Sequence, residues 1–256
     1  MVRNKAKAVL KGHRHTTLGI QLLINTTQFL VIVAEYIFFL RLPNALTLFL
    51  IFSLDLLLVS PLKAGKHVYY YSLVTQNQSN FRRLFHFFGA EYQKSIAWRL
   101  RLWTRRLLYN SIFCIPCSFF LYFSQQAERY GNYTISLIAL AFFVILMVFA
   151  FLITEILLLR YLPSSYLLTK TNSAKQAFQI TKQISKGNLQ NFLHLYLSFV
   201  GWCFLFPLIV PFFYIEPLFQ TQRAILMAEL ISKNSKLFCQ QHLKRLGNHG
   251  KIMNDF

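Results

Sequence analysis

Long apolar runs alternate with basic, polar segments along the chain. A membrane-spanning helix needs about 20 mainly apolar residues to cross about 30 Å of hydrocarbon, and six runs approach that length. They cover residues 18–40, 45–62, 107–123, 135–159, 189–206 and 212–230. The pattern therefore predicts an all-α fold, a polytopic membrane helix bundle of about six transmembrane helices in a single integral membrane domain, residues 1–256.

Lysine and arginine fall almost entirely on one side of these predicted spans. Of the 27 such residues, only Arg41 and Arg129 lie in the opposite loops. Cytoplasmic loops carry the excess of Lys and Arg, so we expect both termini, including a basic tail over residues 231–256, in the cytoplasm. The span at 212–230 is retained despite its Glu216, because five spans would place the basic tail outside.

Composition narrows the class of protein further. Hydrophobic residues make up 55% of the chain and charged residues 14%, against about 25% charged residues in soluble domains. The net charge of +19 could indicate nucleic acid binding, but the basic residues lie between membrane-length runs, which favours anionic lipid headgroups. We therefore predict a multi-pass protein of the cell (plasma) membrane that contacts anionic lipid and another membrane protein, and no nucleic acid.

The segment between the second and third spans predicts an amphipathic helix over residues 80–106. Its apolar side chains recur at steps of three and four: Phe81, Leu84, Phe85, Phe88, Tyr92, Ile96, Leu100 and Trp103. Such a helix can lie in the cytoplasmic interface with its aromatic rings in the acyl boundary, or its stripe can pack on the bundle; both remain open. The basic residues of this segment are predicted lipid-headgroup contacts: Arg82, Arg83, Lys94, Arg99, Arg101, Arg105 and Arg106.

Basic, helix-prone segments precede each odd-numbered span. Two of them share an early Ala-Lys pair, at Ala6 and Ala174, and a late Lys-Gly pair, at Lys11 and Lys186. Three repeats, each an interfacial helix followed by a hairpin of two spans, would explain this arrangement.

Several pieces of the chain carry a resemblance to a known family. "RNKAKAVLKGHRHTTLGIQLLI", "YYYSLV", "NFRRLFHFF" and "AKQAFQITKQISKGNLQNFLHLYLSFVGW" resemble the bacterial multi-pass integral membrane proteins catalogued as domain of unknown function 975. The most specific residues are Lys186, Gly187, Asn188, Ser198, Phe199, Gly201 and Trp202. The resemblance implies a six-helix integral membrane protein and brings no reaction, cofactor or catalytic residue. From its residue type, Asn188 is also expected to cap the helix that follows it.

Acidic residues are scarce, and half of the eight fall inside predicted spans. Ionisable groups at membrane depth are costly and commonly functional, so these four form a candidate intramembrane polar site: Glu35, Asp55, Glu155 and Glu216. A secondary transporter would use them as a relay or a binding cluster. The alternative is that they form structural ion pairs with Arg41, Arg160 or Arg223.

Other chemistry has weaker support in the sequence. Cys114 and Cys117 form a Cys-x-Pro-Cys motif, but apolar surroundings would disfavour the thiolate that a dithiol oxidoreductase needs. His13 and His15 have no third metal ligand nearby. We therefore expect no catalytic residue, metal site or cofactor. The favoured function is a non-enzymatic membrane scaffold or partner, followed by a small secondary transporter and then an intramembrane lipid-modifying enzyme.

Overall fold

The computed structural model describes residues 2–41, 43–77, 80–203 and 209–234. Helix accounts for 89% of the structure, and no strand occurs in the described ranges. The predicted all-α class is therefore confirmed.

The helices follow one another with short connections. The described ranges contain ten α-helices: α1 (Val2–Lys11), α2 (Arg14–Arg41), α3 (Asn44–Leu54), α4 (Ser60–Gln76), α5 (Tyr92–Arg129), α6 (Tyr133–Leu159), α7 (Ser164–Leu167), α8 (Ala174–Ile184), α9 (Leu189–Cys203) and α10 (Ile209–Lys233). A π-helical turn, Asp55–Val59, joins α3 to α4, and 3-10 helices occupy Phe81–Phe88 and Leu168–Lys170.

Among the residues that the structure describes, four helical stretches are long and apolar enough to cross a membrane: Arg14–Arg41, Ala45–Gln76, Tyr92–Arg129 and Tyr133–Lys170. At most 28% of the apolar window of any of them is buried within the protein. Large apolar side chains such as Phe29, Leu48, Ile115 and Leu137 are more than 60% exposed. These surfaces are compatible with a membrane protein, because contiguous apolar area of this extent is unfavourable in water. The predicted count of six spans is not confirmed.

The chain divides into two compact units. The first contains the described parts of Met1–Trp98 and Pro163–Phe256. Within it, α4 is the central helix, with the 3-10 helix Phe81–Phe88, α7 and α10 packed around it, and α1 packs against α10. The second unit, Arg99–Leu162, consists of the long remainder of α5 and α6, connected through a turn at Gly131.

Pro61, the second residue of α4, follows closely after the π-helical turn. Pro61 has no N–H group, so the carbonyl of Leu57, four residues earlier, loses its usual helical donor. The hydroxyl of Tyr92 donates to that carbonyl oxygen at 2.8 Å. The proline is therefore accommodated by an extra residue in one helical turn and by a side chain from α5.

The predicted amphipathic helix over residues 80–106 is divided in the structure. Its first part is the 3-10 helix Phe81–Phe88, and its second part begins α5 at Tyr92. Leu84 and Phe87 are fully buried, and the main chain at Leu84 lies so close to Gly65 of α4 that a Cβ there would be 1.8 Å from the Leu84 carbonyl oxygen.

The rings on the opposite face of this 3-10 helix remain about 40% exposed: Phe81, Phe85 and Phe88. They contact one another with centroid separations of 5.6 and 5.8 Å. Part of the apolar stripe predicted from the sequence therefore packs on the protein, and part stays at the surface; contact of the exposed rings with lipid stays a prediction.

Candidate functional site

Three of the four predicted intramembrane acids lie near two lysines of α4. Lys66 Nζ forms an ion pair with Glu216 Oε1 at 2.6 Å, and Lys63 Nζ lies 3.8 Å from Asp55 Oδ1. Glu35 of α2 is within electrostatic range of Asp55 and Lys63. Because helical positions three residues apart are neighbours on the helix surface, the two ion pairs are adjacent along α4.

The fourth acid belongs to the other unit. Glu155 of α6 forms an ion pair with Arg106 of α5. Glu155 and Glu216 therefore both form ion pairs, as one alternative from the sequence expected. Their partners are Arg106 and Lys66, whereas the sequence suggested Arg160 and Arg223.

The ion pair of Glu216 lies within a larger group of polar side chains. Gln220 Nε2 donates to Glu216 Oε1 at 2.9 Å, so that oxygen accepts two hydrogen bonds. The ring of Tyr166 lies 5.1 Å from that of His67, and the Arg223 guanidinium carbon is 5.7 Å from the Tyr166 centroid. We call this group the α4 polar cluster: Lys66, His67, Tyr70, Tyr166, Glu216, Gln220 and Arg223.

Helices from distant parts of the chain position the α4 polar cluster. α4 supplies Lys66, His67 and Tyr70, the short α7 supplies Tyr166, and α10 supplies the remaining members. α7 is held in place partly by Trp98, whose indole N–H donates to Ser164 Oγ at 2.9 Å. Pro163 precedes α7, where its fixed φ favours the start of a helix.

Several buried atoms of the cluster have no hydrogen-bond partner within the described part of the chain. They are His67 Nδ1, Tyr70 Oη, Tyr166 Oη, Gln220 Oε1 and Arg223 Nε. Tyr70 and Tyr166 are at most 1% exposed, and His67 and Gln220 are under 9% exposed. Buried polar groups are usually hydrogen-bonded, so this concentration marks the cluster as a site for additional polar contacts.

The predicted lipid-headgroup residues divide between the two units. In the first, Arg82 is exposed, Arg83 Nη2 donates to Gln76 Oε1 at 2.6 Å, and Lys94 Nζ forms an ion pair with Glu91 at 2.6 Å. Lipid contact by these side chains stays a prediction.

In the second unit, the predicted headgroup residues lie along α5: Arg99, Arg101, Arg105 and Arg106. Arg99 lies over the Trp103 ring at 6.0 Å and Arg105 over the Tyr161 ring at 4.0 Å. Such contacts hold the alkyl stems against aromatic surface.

The most specific residues of the family resemblance surround the turn from α8 to α9. Gly187 has a positive φ of 83°, which glycine adopts without a steric cost. The Asn188 amide donates to the Ile184 carbonyl at 2.9 Å; this contact closes α8, whereas the sequence predicted a cap for α9. Ser198 Oγ donates to Leu195 O at 2.7 Å.

The later residues of the same motif lie on α9. The Phe199 ring packs against Phe219 of α10 with a centroid separation of 4.8 Å. Gly201 and Trp202 belong to the last turn of α9, and their side chains lie outside the described residues.

The cysteine and histidine candidates lie in ordinary structural contacts. Cys114 and Cys117 are free thiols on α5; Cys114 Sγ lies 3.9 Å from Met147 Sδ, and Cys117 Sγ donates to Phe113 O at 3.4 Å. His13 Nε2 lies 3.1 Å from Asn77 Oδ1. Across the described ranges, no group of three or more His, Cys, Asp or Glu side chains has an arrangement that could hold a metal ion.

An open groove of about 620 Å³ lies at the far end of α4. Lys170 lines it and donates to the Tyr71 hydroxyl at 2.8 Å. Tyr71, Thr75, Glu229 and Ser232 are also in its wall, and Glu229 pairs with Lys5 of α1 at 3.5 Å. The groove therefore presents both signs of charge.

Sequence reasoning selected Glu216 but missed most of the α4 polar cluster. The stretch "KAGKHVYYYS", directly after an apolar run, contains Lys66, His67 and Tyr70. Polar residues at the end of a span lie near the membrane surface, so this position could have indicated a polar site there. Tyr166 gave no comparable signal, since its position beside α4 depends on the packing of α7.

Comparison of the chain with protein-family models, with curated proteins and with solved structures finds no match.

Proposed function

We propose that this chain is an integral protein of the plasma membrane, with both termini in the cytoplasm, that serves as a non-enzymatic scaffold or interaction partner at an anionic lipid surface. The observation that carries this proposal is the contrast between two kinds of helix surface. The four candidate spans expose large apolar side chains along much of their length, whereas α4 and α8 bury many of their residues. A lipid-facing region joined to a packed, basic layer suits a protein that organises other components at the membrane face.

The finer topology is part of the same proposal. The one-sided distribution of Lys and Arg supports cytoplasmic termini, which require an even number of crossings. The four candidate spans already give an even number. Six crossings, with residues 189–206 and 212–230 as the last two, are proposed on the sequence pattern alone, since Glu216 of α10 pairs with Lys66 near the end of the stretch Ala45–Gln76. The three-repeat arrangement and membership of the family catalogued as domain of unknown function 975 are proposed on the sequence pattern alone.

Thiol labelling in intact cells tests the orientation. In a cysteine-free background, Gly131→Cys should react with a membrane-impermeant maleimide added outside, because residue 131 lies in a loop with few basic residues. Lys175→Cys should react only after the cells are opened. Labelling of position 175 from outside would contradict the proposed topology.

A small secondary transporter is the second candidate function. The observation that favours it is the group formed by Glu35, Asp55 and Lys63 beside the π-helical turn. π-helical turns inside longer helices often occur at functional sites, and charged side chains in a candidate span are a hypothesis for an ion pathway.

Complementation of a deletion strain distinguishes the two candidates. The double variant Glu35→Gln/Asp55→Asn should retain function in the scaffold proposal, provided that its membrane level matches the wild type. Arg82→Gln/Arg101→Gln should reduce function, because it removes two cations from the basic surface. The reverse result, with the acid variant inactive and the arginine variant active, would favour transport over the scaffold.

A further inference from the structure

A cation with unused donor capacity lies within the α4 polar cluster. Arg223 carries five N–H donors, yet among the described residues it has neither a hydrogen bond nor an ion pair, and its Nε is buried. The nearby carboxylate of Glu216 is already bound by Lys66 and Gln220 through one oxygen. Arg223 is half-buried, and a partly desolvated cation is costly unless it is paired and hydrogen-bonded, so Arg223 is suited to receive an anion.

Two phenolic hydroxyls add donors at the same place. The Arg223 guanidinium carbon is 5.7 Å from the centroid of the Tyr166 ring, and Tyr70 is on α4, which packs against both α7 and α10. Both hydroxyls are buried without a partner in the described ranges, and both rings are at most 1% exposed. Unpartnered donors therefore approach one another from α4, α7 and α10.

The charge of the cluster favours the same class of ligand. Lys66 and Arg223 are opposed by the single carboxylate of Glu216, and His67, which is 8% exposed, adds a further nitrogen without a partner. Of the unpartnered groups, the Arg223 N–H and the two phenolic hydroxyls can donate, whereas Gln220 Oε1 can only accept. Because the one cation of the cluster without a partner in the described ranges is among the donors, an acceptor-rich anion complements them better than a cation or a neutral sugar.

The position of the cluster along its helix is appropriate for phosphate. In the stretch Ala45–Gln76, Lys66 lies about 30 Å from Ala45 at the α-helical rise, which equals the thickness of the hydrocarbon core. If Ala45 marks one boundary, Lys66 reaches the headgroup layer on the other side. Phosphate groups are available there from phospholipids and from solution.

We propose that the α4 polar cluster is a binding site for a tetrahedral oxyanion of the phosphate class, held by Arg223 and by the hydroxyls of Tyr70 and Tyr166. Lys66 and Glu216 form its fixed wall, and Gln220 orients the carboxylate. The proposal does not depend on the scaffold function, because a scaffold or a transporter can contain such a site.

The test uses the purified full-length protein in detergent, with thermal unfolding followed by tryptophan fluorescence. Trp98 lies 6.4 Å from the His67 ring, so its emission also reports locally on the cluster. Two probes are compared: inorganic phosphate against chloride at equal ionic strength, and phosphatidylglycerol against phosphatidylcholine in mixed micelles. Either member of the phosphate class should raise the unfolding midpoint in a saturable manner. A rise with inorganic phosphate identifies a soluble ligand, and a rise with phosphatidylglycerol alone identifies a lipid headgroup.

Variants assign the binding to the cluster. Arg223→Gln should weaken the affinity for the active probe by about tenfold or more, as expected for loss of a charge-assisted hydrogen bond. Tyr166→Phe keeps the ring and should weaken it several-fold while preserving the fold. Arg14→Gln is the matched control, because Arg14 also lies over a tyrosine ring, that of Tyr214 at 5.8 Å, and should leave affinity unchanged.

Two results would overturn the proposal. One is a wild-type midpoint that responds to neither phosphate source. The other is saturable binding that Arg223→Gln and Tyr166→Phe both leave at the wild-type affinity.

Discussion

Tyr92 donates its hydroxyl hydrogen to the main-chain carbonyl of Leu57 at 2.8 Å. This carbonyl is the acceptor that the ring of Pro61 leaves without its usual helical N–H donor. The contact joins the start of α5 to the π-helical turn. The proline and the tyrosine are therefore parts of one structural solution, although they lie far apart in the sequence.

Tyr92→Phe should lower the free energy of unfolding by about 1–2 kcal/mol, because it leaves the Leu57 carbonyl without this donor. Urea or thermal unfolding in detergent measures the change. Tyr122→Phe on the same helix is the control, since Tyr122 is 61% exposed, and it should have little effect. Equal losses in the two variants would argue against the assigned contact.

Gly65→Ala should destabilise the first unit by about 3 kcal/mol, at the upper end of overpacking effects. The new Cβ would lie 1.8 Å from the Leu84 carbonyl oxygen, so the 3-10 helix Phe81–Phe88 would have to move. Gly19→Ala is the matched control, because nothing lies within 4 Å of a Cβ at that position of α2. It should stabilise the helix by about 0.5–1 kcal/mol; the same loss at both sites would exclude the steric explanation.

The ion pair between Lys66 and Glu216 should give a strong coupling in a double-mutant cycle. Lys66→Met or Glu216→Gln alone should cost about 3–5 kcal/mol, because each leaves a poorly solvated group without its partner, and the double variant should cost much less than their sum. The comparison pair is Lys5 with Glu229, whose side chains are 54% and 52% exposed. Its coupling should be about 0–1 kcal/mol. Unfolding measurements that give similar couplings for both pairs would contradict the role of burial.

The exposed rings of the 3-10 helix should contact lipid. A photoreactive benzoyl-phenylalanine at position 85 should crosslink to phospholipid after reconstitution, since Phe85 is 41% exposed beside Phe81 and Phe88 and aromatic residues favour the interface. The same probe at His86, the neighbouring polar position, should give less lipid adduct. An equal or greater yield at position 86 would be inconsistent with an interfacial aromatic face.

Two features of the sequence, the apolar spacing of residues 80–106 and the scarce acids, predicted only part of the contacts that the structure shows. The spacing of apolar residues indicated both possible environments of the 80–106 segment, but period alone cannot separate a protein-facing from a lipid-facing ring. Phe87 is buried and Phe85 is exposed because the main chain at Leu84 lies close to Gly65 and fixes which face of the 3-10 helix packs on α4. Likewise, the scarcity of acids identified Glu216, whereas its partner Lys66 depends on α10 packing beside α4.

The sequence by itself determined the helical class and the long apolar helices, because hydrophobic length and period are local properties of the chain. It also carried the one-sided placement of Lys and Arg on which the proposed orientation rests. Tertiary structure decided which polar side chains meet. Tyr166, Lys66 and Arg223 are separated by many residues, and they converge because the packing of α7 and α10 on α4 positions them, a relation that no local pattern contains.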